Sequence, residues 1–277
     1  MSVARKVVEN PERTDSLRAE ELVELLEEAL RIFRSEPQLL ELEGSTLVVG
    51  DTHGDFASSW KALSVEARLH LYLGDYVDRG PEQLKNANFL LAKKVEQPER
   101  IYLLRGNHES PLMNYGYGFY REVVGRYGLK IYRMYAEVFS NMPYAAVLND
   151  SVFAVHGGVA KGLRSIGAVR DLRKGDLEPS DPVALQLLWN DPDESVEYFA
   201  PSPRGPGIYL YGRKAVEELF ELSGLKLMVR AHEYFPQGFH EYFGGKVLSL
   251  FSCRYYPATS PKAALFEGAS WRLVTLT

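Results

Sequence analysis

Short apolar runs recur along the first half of the chain, and each run passes directly into a turn that carries glycine and charged residues. These runs predict buried strands over residues 46–49, 69–73 and 101–104, with helices that begin near residue 56 and cover residues 81–95 between them. Strands that alternate with helices are typical of parallel α/β sheets, which gather ligand-bearing turns at the carboxyl ends of their strands. The pattern therefore predicts an α/β fold with functional residues at one edge of a sheet.

Helices and a hairpin are predicted on either side of this unit. Apolar residues at helical spacing indicate an amphipathic helix over residues 16–34, and a second helical stretch covers residues 118–141. An Asn-Asp pair separates the strand-like runs 144–148 and 152–155, and such pairs favour tight reversals between antiparallel strands. Residues 161–206 are rich in Asp, Pro, Arg and Gly, which predicts long surface loops of the kind that often carry function.

The last third of the chain predicts a second, largely antiparallel sheet. Its strand-like runs cover residues 227–230, 238–242, 247–251, 263–266 and 271–276. The two sheets are expected to pack as one sandwich, because no repeat or linker separates them. We therefore expect a flexible N-terminal arm over residues 1–13 and a single domain over residues 14–277.

Composition excludes several kinds of partner. The chain has 277 residues, 45% of them hydrophobic, with a net charge of −5 and a pI of about 5.8, so its surface as a whole repels nucleic acid and anionic membranes. No apolar run approaches the roughly 18 residues of a membrane span, and the first residues lack the apolar stretch of a secretory signal. The single cysteine, Cys253, excludes an internal disulfide. We expect a cytoplasmic protein that binds neither nucleic acid nor membranes.

Candidate chemistry lies in six short segments that place a metal or phosphate ligand beside a glycine or an alanine. They are Gly50-Asp-Thr-His-Gly-Asp55, Gly74-Asp-Tyr-Val-Asp-Arg-Gly80, Arg105-Gly-Asn-His-Glu109, His156-Gly-Gly158, Arg204-Gly205 and Arg230-Ala-His-Glu233. One histidine on an apolar strand is more often a packing residue than a ligand. Four of the six histidines of the chain, however, lie in these turns, which favours a metal site. His70 and His240 lie outside them, and we assign them no function.

The residue types in these segments predict two metal ions. Asp51 and His53, spaced as Asp-x-His, can bind one ion from a single turn, and Asp75 is placed to bridge to a second. Ligands for the second ion are supplied by an amide and two imidazoles: Asn107, His156 and His232. Imidazole combined with carboxylate and carboxamide suits Mn, Fe or Zn better than Ca. Two such ions about 4 Å apart would clamp the attacking and leaving oxygens of a displacement at phosphorus.

The order and spacing of these segments resemble the signature of the PPP family of metal-dependent protein serine/threonine phosphatases. The resemblance extends from about Gly50 to Tyr256 and includes the later blocks Leu187-Leu-Trp-Asn-Asp-Pro192, Arg204-Gly-Pro-Gly207 and Tyr211-Gly212. It implies a metallophosphoesterase β-sandwich, in which mixed sheets with a βαβαβ metal-site scaffold are flanked by helices. The short single domain is similar to a prokaryotic, archaeal-type member.

The resemblance also implies a role for each matching residue. Asp51, His53 and Asp75 would bind one metal ion, and Asp75, Asn107, His156 and His232 the other. His108 would be the catalytic acid and Asp78 the carboxylate that orients it. The phosphate would be held by Arg79 and Arg204, whose planar guanidinium groups offer paired donors, together with Tyr256; Tyr255 is the rival for this tyrosine.

Four departures from the family pattern are visible in the sequence. Asp55 and Glu233 stand where eukaryotic members have glutamine, which adds acid near a site for phosphate esters. The loop after Phe251-Ser252 lacks the usual Ala-Pro-Asn, so its substrate contacts and toxin sensitivity are not carried over. The short connection over residues 56–70 removes surface on which eukaryotic regulatory subunits dock, so no regulatory partner is carried over.

The resemblance implies hydrolysis of phosphomonoesters by attack of metal-activated hydroxide, with two divalent ions as cofactors, Mn being the one expected in vitro. Phosphorylated proteins carrying phosphoserine or phosphothreonine are the expected substrates. Two alternatives stay open: a dinucleoside tetraphosphatase or other nucleotide phosphohydrolase, which shares the early segments, and a catalytically silent scaffold that binds phosphoproteins. The later blocks favour the protein phosphatase over the first, and the complete set of ligands argues against the second.

Overall fold

Two mixed β-sheets lie at the centre of the protein. The computed structural model describes residues 1–257 and 259–277, without the side chains of Arg13 and Asp15. The strands are β1 (Leu39–Leu42), β2 (Thr46–Val49), β3 (Leu69–Tyr72), β4 (Ile101–Leu103), β5 (Ala145–Leu148), β6 (Val152–Val155), β7 (Asp191–Pro192), β8 (Phe199–Pro201), β9 (Tyr209–Tyr211), β10 (Leu227–Arg230), β11 (Phe239–Tyr242), β12 (Val247–Leu250), β13 (Lys262–Glu267) and β14 (Ser270–Thr275).

The order of strands in the two main sheets determines where the site can form. The first sheet has the order β14-β13-β2-β3-β4, and the second has the order β1-β5-β6-β10-β12-β11. Strands β2, β3 and β4 run parallel, as predicted, and so do β6, β10 and β12. The prediction of loops over residues 161–206 is wrong in part: a helix covers Pro182–Trp189, and two strands of a small third sheet, β7-β9-β8, also lie there. The carboxyl ends of parallel strands therefore meet at one edge of each main sheet.

Helices cover the outer faces of both sheets. They are α1 (Val3–Glu9), α2 (Ala19–Ser35), α3 (Phe56–Leu63), α4 (Gln83–Glu96), α5 (Pro111–Tyr117), α6 (Phe119–Tyr127), α7 (Leu129–Ser140), α8 (Pro182–Trp189) and α9 (Arg213–Ser223), with 3-10 helices at Pro11–Ser16 and Ile166–Asp171. Within the described residues, none of these helices combines the length and the apolar character needed to cross a bilayer.

The alternation of side chains along β2 shows how the layers pack. Val48 lies in the cluster between the two sheets, which also contains Leu148 and Leu250 of the second sheet. Leu47 and Val49 point the other way, into the cluster formed with the helices. Both faces of this strand are buried, which explains why its sequence is continuously apolar rather than alternating. The predicted α/β sandwich flanked by helices is confirmed.

The N-terminus differs from the prediction of a flexible arm over residues 1–13. Residues 3–9 form α1, and Val3, Ala4 and Val7 are buried against α4. Ser2 caps this helix by accepting a hydrogen bond from the Arg5 amide. The polar composition concealed the helix, because only one face of it is apolar.

The second sheet also differs from the prediction. The strands of the last third do not form a sheet of their own: β13 pairs with β2 and extends the first sheet, whereas β10 pairs with β6 in parallel. The predicted hairpin of β5 and β6 is confirmed. The helical stretch over residues 118–141 is interrupted, because Gly118 and Gly128 adopt positive φ angles of 118° and 84° and separate α5, α6 and α7.

Candidate metal and phosphate site

Turns that leave the strands of both sheets carry the six predicted metal ligands. Asp51 and His53 follow β2, Asp75 follows β3 and Asn107 follows β4, while His156 follows β6 and His232 follows β10. All of these strands are parallel to a neighbour in their sheet, so their ligand turns open at the same end of the sandwich. A β-bridge between Asp51 and Phe251 joins the two sheets at this end.

Backbone conformations that most residues avoid shape these turns. Among the described residues other than glycine, eight have a positive φ, and five of the eight are predicted site residues: His53, Asp75, Asp78, Arg79 and His232. Such strain is characteristic of functional sites, where the surrounding structure enforces it. The space is equally tight, because a Cβ atom added to Gly106 would lie 2.3 Å from Asp75 Oδ1. The glycine of this segment is therefore required by the approach of the carboxylate.

The first group of ligands is centred on His53. Its Nδ1–H donates to the carbonyl oxygen of Val77 over 3.0 Å, which leaves a lone pair on Nε2. That nitrogen lies 3.5 Å from Asp75 Oδ2 and 4.0 Å from Asp51 Oδ2. An imidazole lone pair that faces two carboxylates requires a cation between them. Asp51, His53 and Asp75 therefore fit one divalent ion.

The second group is centred on His156, whose Nδ1–H donates to the carbonyl oxygen of Leu73 over 3.0 Å. Its Nε2 lies 2.9 Å from the side-chain oxygen of Asn107, 3.2 Å from His232 Nδ1 and 3.4 Å from Asp75 Oδ1. The hydrogen bond to Leu73 leaves a lone pair on His156 Nε2, and this nitrogen lies close to an oxygen of Asp75 and a ring nitrogen of His232, as the ligands of one cation would. The other ring nitrogen of His232 is buried and has no hydrogen-bond partner among the described residues. This donor set fits a second divalent ion.

The carboxylate of Asp75 belongs to both groups. One of its oxygens faces His53 and the other faces His156, which suits the predicted bridging role. His108 Nε2 also comes within 4.0 Å of Asp75, but the Arg79 guanidinium lies 3.3 Å from the same nitrogen and would repel a metal ion there. Asp51 is therefore the better third ligand of the first group.

Burial changes the acidity of these groups in the direction that favours metal ions. It raises the pKa of Asp51 to about 7 and raises the pKa of Asp75 well above its usual value, an effect that Asp51 and Glu109 increase. It lowers the pKa of His53, His156 and His232 well below the usual value. The imidazoles are therefore neutral ligands, and the paired carboxylates gain most from a nearby cation.

Glu109 holds the turn that presents Asp75. Its carboxylate accepts hydrogen bonds from the backbone N–H groups of Asp75, Tyr76 and Gly106 over 2.7, 2.9 and 2.9 Å. Burial raises the pKa of Glu109 to about 7, and the three N–H donors oppose this by favouring the charged form. By holding this turn, Glu109 fixes the orientation of the Asp75 carboxylate toward both groups of ligands.

The predicted acid and its orienting carboxylate are in contact. His108 Nδ1 lies 2.8 Å from Asp78 Oδ2, and Asp78 also accepts hydrogen bonds from Asn114 Nδ2 and the Phe119 amide over 3.0 and 2.9 Å. Asp78 is thus fixed by two further donors and holds the ring so that Nε2 faces the cavity. Burial lowers the pKa of His108, and the hydrogen bond that its ring donates to the Asp78 carboxylate opposes this.

Two arginines, Arg79 and Arg204, line the cavity, which measures about 340 Å³. Arg79 donates to the hydroxyl of Tyr256 over 2.6 Å, which supports Tyr256 rather than Tyr255 as the active-site tyrosine. Arg204 is held by the carboxylate of Asp191. Both guanidinium groups line the cavity together with the two metal-ligand groups, so a phosphate between them would meet paired donors.

The sequence model of the calcineurin-like phosphoesterase family matches residues 44–236, which is well over half of the chain. The chain belongs to this family. A protein serine/threonine phosphatase from Saccharomyces cerevisiae with similarity to human phosphatase PP5 has the same fold, with a TM-score of 0.86 and 26% sequence identity over 94% of this chain and 90% of that one. A cold-active protein-tyrosine phosphatase from a psychrophilic Shewanella shares the fold, with a TM-score of 0.62 and 16% identity over 89% of this chain and 84% of that one.

These comparisons confirm the resemblance that the motifs predict. The calcineurin-like phosphoesterase described here is a metal-dependent phosphoric ester hydrolase, and its two clusters of aspartate and histidine can hold the divalent ions that the family uses.

Asp191 connects the phosphate-facing Arg204 to the interior of the phosphoesterase. One oxygen of Asp191 accepts from Arg204, and the other accepts from the fully buried Arg230 over 2.7 Å. Arg230 itself is held by the carbonyl oxygen of Gly157 and the carboxylate of Glu233, each over 2.7 Å. Glu233 therefore neutralises Arg230, and the acid that it adds to the family pattern is not free to repel a phosphate.

We expect Arg204→Ala to weaken phosphate binding without changing the metal content. Loss of a charge-assisted contact costs about 1.5 to 3 kcal/mol, roughly ten- to a hundredfold in affinity. Inhibition of nitrophenyl phosphate hydrolysis by inorganic phosphate measures the effect. Arg164→Ala, an exposed arginine outside the cavity, is the matched control. If inorganic phosphate inhibits both variants and the wild type equally, Arg204 does not bind phosphate and serves only in its ion pair with Asp191.

Asp55, the other departure from the family pattern, is neutralised by Arg254. Asp55 is fully buried and caps α3 by accepting from the Ser58 amide over 3.1 Å. It also accepts from the Arg254 backbone amide over 2.7 Å and from its guanidinium Nε over 2.9 Å. The pair joins the turn of the first metal group to the loop that carries Tyr256.

We expect Arg254→Ala to lower the free energy of unfolding by roughly 1.5 to 3 kcal/mol, because it leaves the buried Asp55 charge with fewer donors. Adding Asp55→Asn should recover part of this loss, since the amide still caps α3 but carries no charge. Urea unfolding of both variants measures this, with Arg213→Ala, which removes an exposed ion pair to Glu217, as the control. If the double variant loses as much free energy of unfolding as the two single variants together, Asp55 and Arg254 are not coupled.

Proposed function

We propose that this phosphoesterase is a protein serine/threonine phosphatase. The observation that carries the proposal is the His108 ring, which Asp78 holds at one nitrogen while the other faces the cavity beside Arg79. A positioned proton donor helps most when the leaving group is a poor one, and the alkoxide of serine or threonine is such a group. Similarity to the yeast protein serine/threonine phosphatase over nearly the whole of both chains supports the same substrate class.

The residues described above would hold two divalent ions, Asp51 and His53 on one side of Asp75 and Asn107, His156 and His232 on the other. When bound, these ions supply Lewis acidity and lower the pKa of the attacking water. Mn is the ion that we expect to support activity in vitro, with Fe or Zn as alternatives, because the donors mix imidazole nitrogen with oxygen.

The protein's own residues would bind and orient the phosphoester. Arg79 and Arg204 would grip the phosphate oxygens from two sides, and Tyr256 would hold Arg79 in place. As the oxygen of water adds to phosphorus and the ester P–O bond breaks, the proton on His108 Nε2 would pass to the departing serine or threonine oxygen, and the proton released by the water would restore His108. Asp78 would stabilise the imidazolium before that transfer and keep the ring in position.

A phosphoprotein substrate and a reducing compartment complete the proposal. The cavity lies open among exposed side chains, including Tyr117 and Tyr234, so a phosphorylated segment of another protein can reach it.

Cys253, the only cysteine, is buried and free of disulfides, which agrees with our proposal of a cytoplasmic enzyme.

Substrate preference of the metal-loaded protein tests the proposal. We expect the metal-stripped protein to be inactive and, once Mn is restored, to hydrolyse phosphoserine and phosphothreonine peptides with a higher kcat/KM than a phosphotyrosine peptide or a dinucleoside tetraphosphate. Zn and Fe, added in parallel, identify the ion that supports activity. Exclusive turnover of the dinucleoside tetraphosphate would overturn the proposal in favour of a nucleotide phosphohydrolase.

A further inference from the structure

A second cavity of about 410 Å³ adjoins the phosphate site. Its walls include Tyr117, Tyr255, Tyr256 and Pro257, with Arg79 and Gly80 beneath them; we call it the tyrosine pocket. Arg79, Tyr117 and Tyr256 line both cavities. The hydrogen bond from Arg79 to Tyr256 therefore marks the border between the phosphate site and the tyrosine pocket.

Contacts to the rest of the protein fix the rings of this pocket. Tyr255 donates its hydroxyl hydrogen to Glu82 over 2.9 Å, and the Arg254 guanidinium lies 5.4 Å from the centre of its ring. On the opposite side, the Tyr117 ring lies 4.8 Å from the Arg79 guanidinium and 5.0 Å from the ring of His108. The pocket is thus formed before a ligand binds, which lowers the entropy cost of binding.

The charges of Glu82 and Arg254 beside the pocket are already engaged, and the Arg79 guanidinium is directed to Tyr256 and His108 at the border with the phosphate site. Glu82 accepts from Tyr255 and from Lys85, and Arg254 is paired with Asp55. What the pocket offers a ligand is therefore ring surface: Tyr117 and Tyr255 are 47% and 42% exposed. A nucleobase would need free hydrogen-bond partners along its edge, whereas an apolar side chain needs only the surface.

We propose that the tyrosine pocket binds an aromatic or large apolar side chain of the phosphoprotein, next to the phosphorylated serine or threonine. This inference rests on the proposed function, because it assigns a second contact to the same substrate. Arg79, Tyr117 and Tyr256 line both cavities, so the residue directly before or after the phosphorylated one is the part of the substrate that would enter the pocket. The pocket would then select the sequence around the phosphorylated residue.

A series of phosphothreonine peptides tests the inference on the full-length, Mn-loaded enzyme. Phe, Leu, Ala or Glu is placed directly before or directly after phosphothreonine, and kcat/KM is measured for each peptide. At one of the two positions we expect Phe and Leu to exceed Ala by roughly tenfold or more, because an apolar pocket discriminates by such factors. Glu should be the least favoured residue there.

Variants of Tyr255 show whether the tyrosine pocket is the cause. Tyr255→Ala should bring the ratio of kcat/KM for the Phe and Ala peptides close to one, whereas Tyr255→Phe, which keeps the ring and loses only the hydroxyl with its bonds to Glu82 and Arg254, should preserve it. Because each result is a ratio on one protein, a general loss of activity does not affect it. Tyr198→Ala removes a similarly exposed ring outside both cavities and should leave the ratio unchanged.

Turnover of the Ala peptide separates this inference from the proposed function. If the Ala peptide is hydrolysed but Phe gives no advantage at either position, the pocket has no such role although the phosphatase proposal holds. A preference that survives Tyr255→Ala would also overturn the inference. If no peptide is hydrolysed and Tyr255→Ala impairs turnover of a dinucleoside tetraphosphate, both proposals fail and the pocket holds a base.

Discussion

Asp75→Asn is expected to abolish phosphatase activity and to lower the metal content of the purified protein. Among the described residues, Asp75 alone belongs to both groups of possible metal ligands. One of its carboxylate oxygens lies 3.5 Å from His53 Nε2, and the other lies 3.4 Å from His156 Nε2. Without this shared charge, two cations would lie close together with no common anion. Loss of an outer-shell partner alone costs about 10- to 100-fold, so we expect a larger loss here.

Metal analysis and thermal unfolding distinguish this explanation from misfolding. Asp75 is destabilised as a buried charge beside Asp51 and Glu109, so the metal-free variant should be no less stable than the metal-free wild type. Asp150→Asn, the same change at an exposed turn, is the matched control. Two ions per chain combined with near-normal turnover would show that Asp75 is not the bridge.

The metal-ligand turns could be predicted from the sequence because each follows a short apolar run. The runs at residues 46–49, 69–73 and 101–104 place Asp51, Asp75 and Asn107 at strand ends, and the structure has β2, β3 and β4 there within one residue. Parallel strands bring such ends together whatever lies elsewhere in the fold. The convergence of ligands is thus a consequence of local pattern and general topology.

The pairing of the later strands could not be predicted in the same way. A run such as residues 263–266 indicates a strand but not its neighbour, and β13 pairs with β2, more than two hundred residues earlier in the chain. Strand β1 (Leu39–Leu42) is only four residues long and gives no distinct pattern. The partner of a strand is decided by packing across the whole domain, which one sequence does not reveal.

The residues that support the site were also missed. Glu109 and Asp191 lie within the motifs of the chain, but their spacing does not show what they contact. In the structure, Glu109 holds the turn of Asp75, and Asp191 holds Arg204. A charged residue beside an apolar run indicates a buried charge, and a buried charge requires a hydrogen-bonded or charged partner. Which partner it finds depends on tertiary contacts between distant segments.

His108→Asn should separate catalysis from metal binding. The variant keeps both groups of metal ligands, because His108 is not one of these ligands: one of its ring nitrogens contacts Asp78 and the other contacts Arg79. Donation of a proton to the leaving group is typically worth about 10² to 10⁴ in rate, but only when the leaving group needs the proton. Nitrophenolate leaves readily, whereas serine alkoxide does not.

We therefore expect His108→Asn to lose most of its activity on a phosphoserine peptide and distinctly less on nitrophenyl phosphate, with two ions retained per chain. Asp78→Asn should show a milder form of the same pattern, because an amide still accepts from Nδ1–H but stabilises the imidazolium less. His240→Asn, which changes a histidine of β11 outside the cavity, is the control. The comparison requires that chemistry limits the rate on both substrates, which pre-steady-state measurements establish. Equal losses under that condition would remove His108 from the role of acid and leave it a positioning residue for Arg79, which lies 3.3 Å from its Nε2.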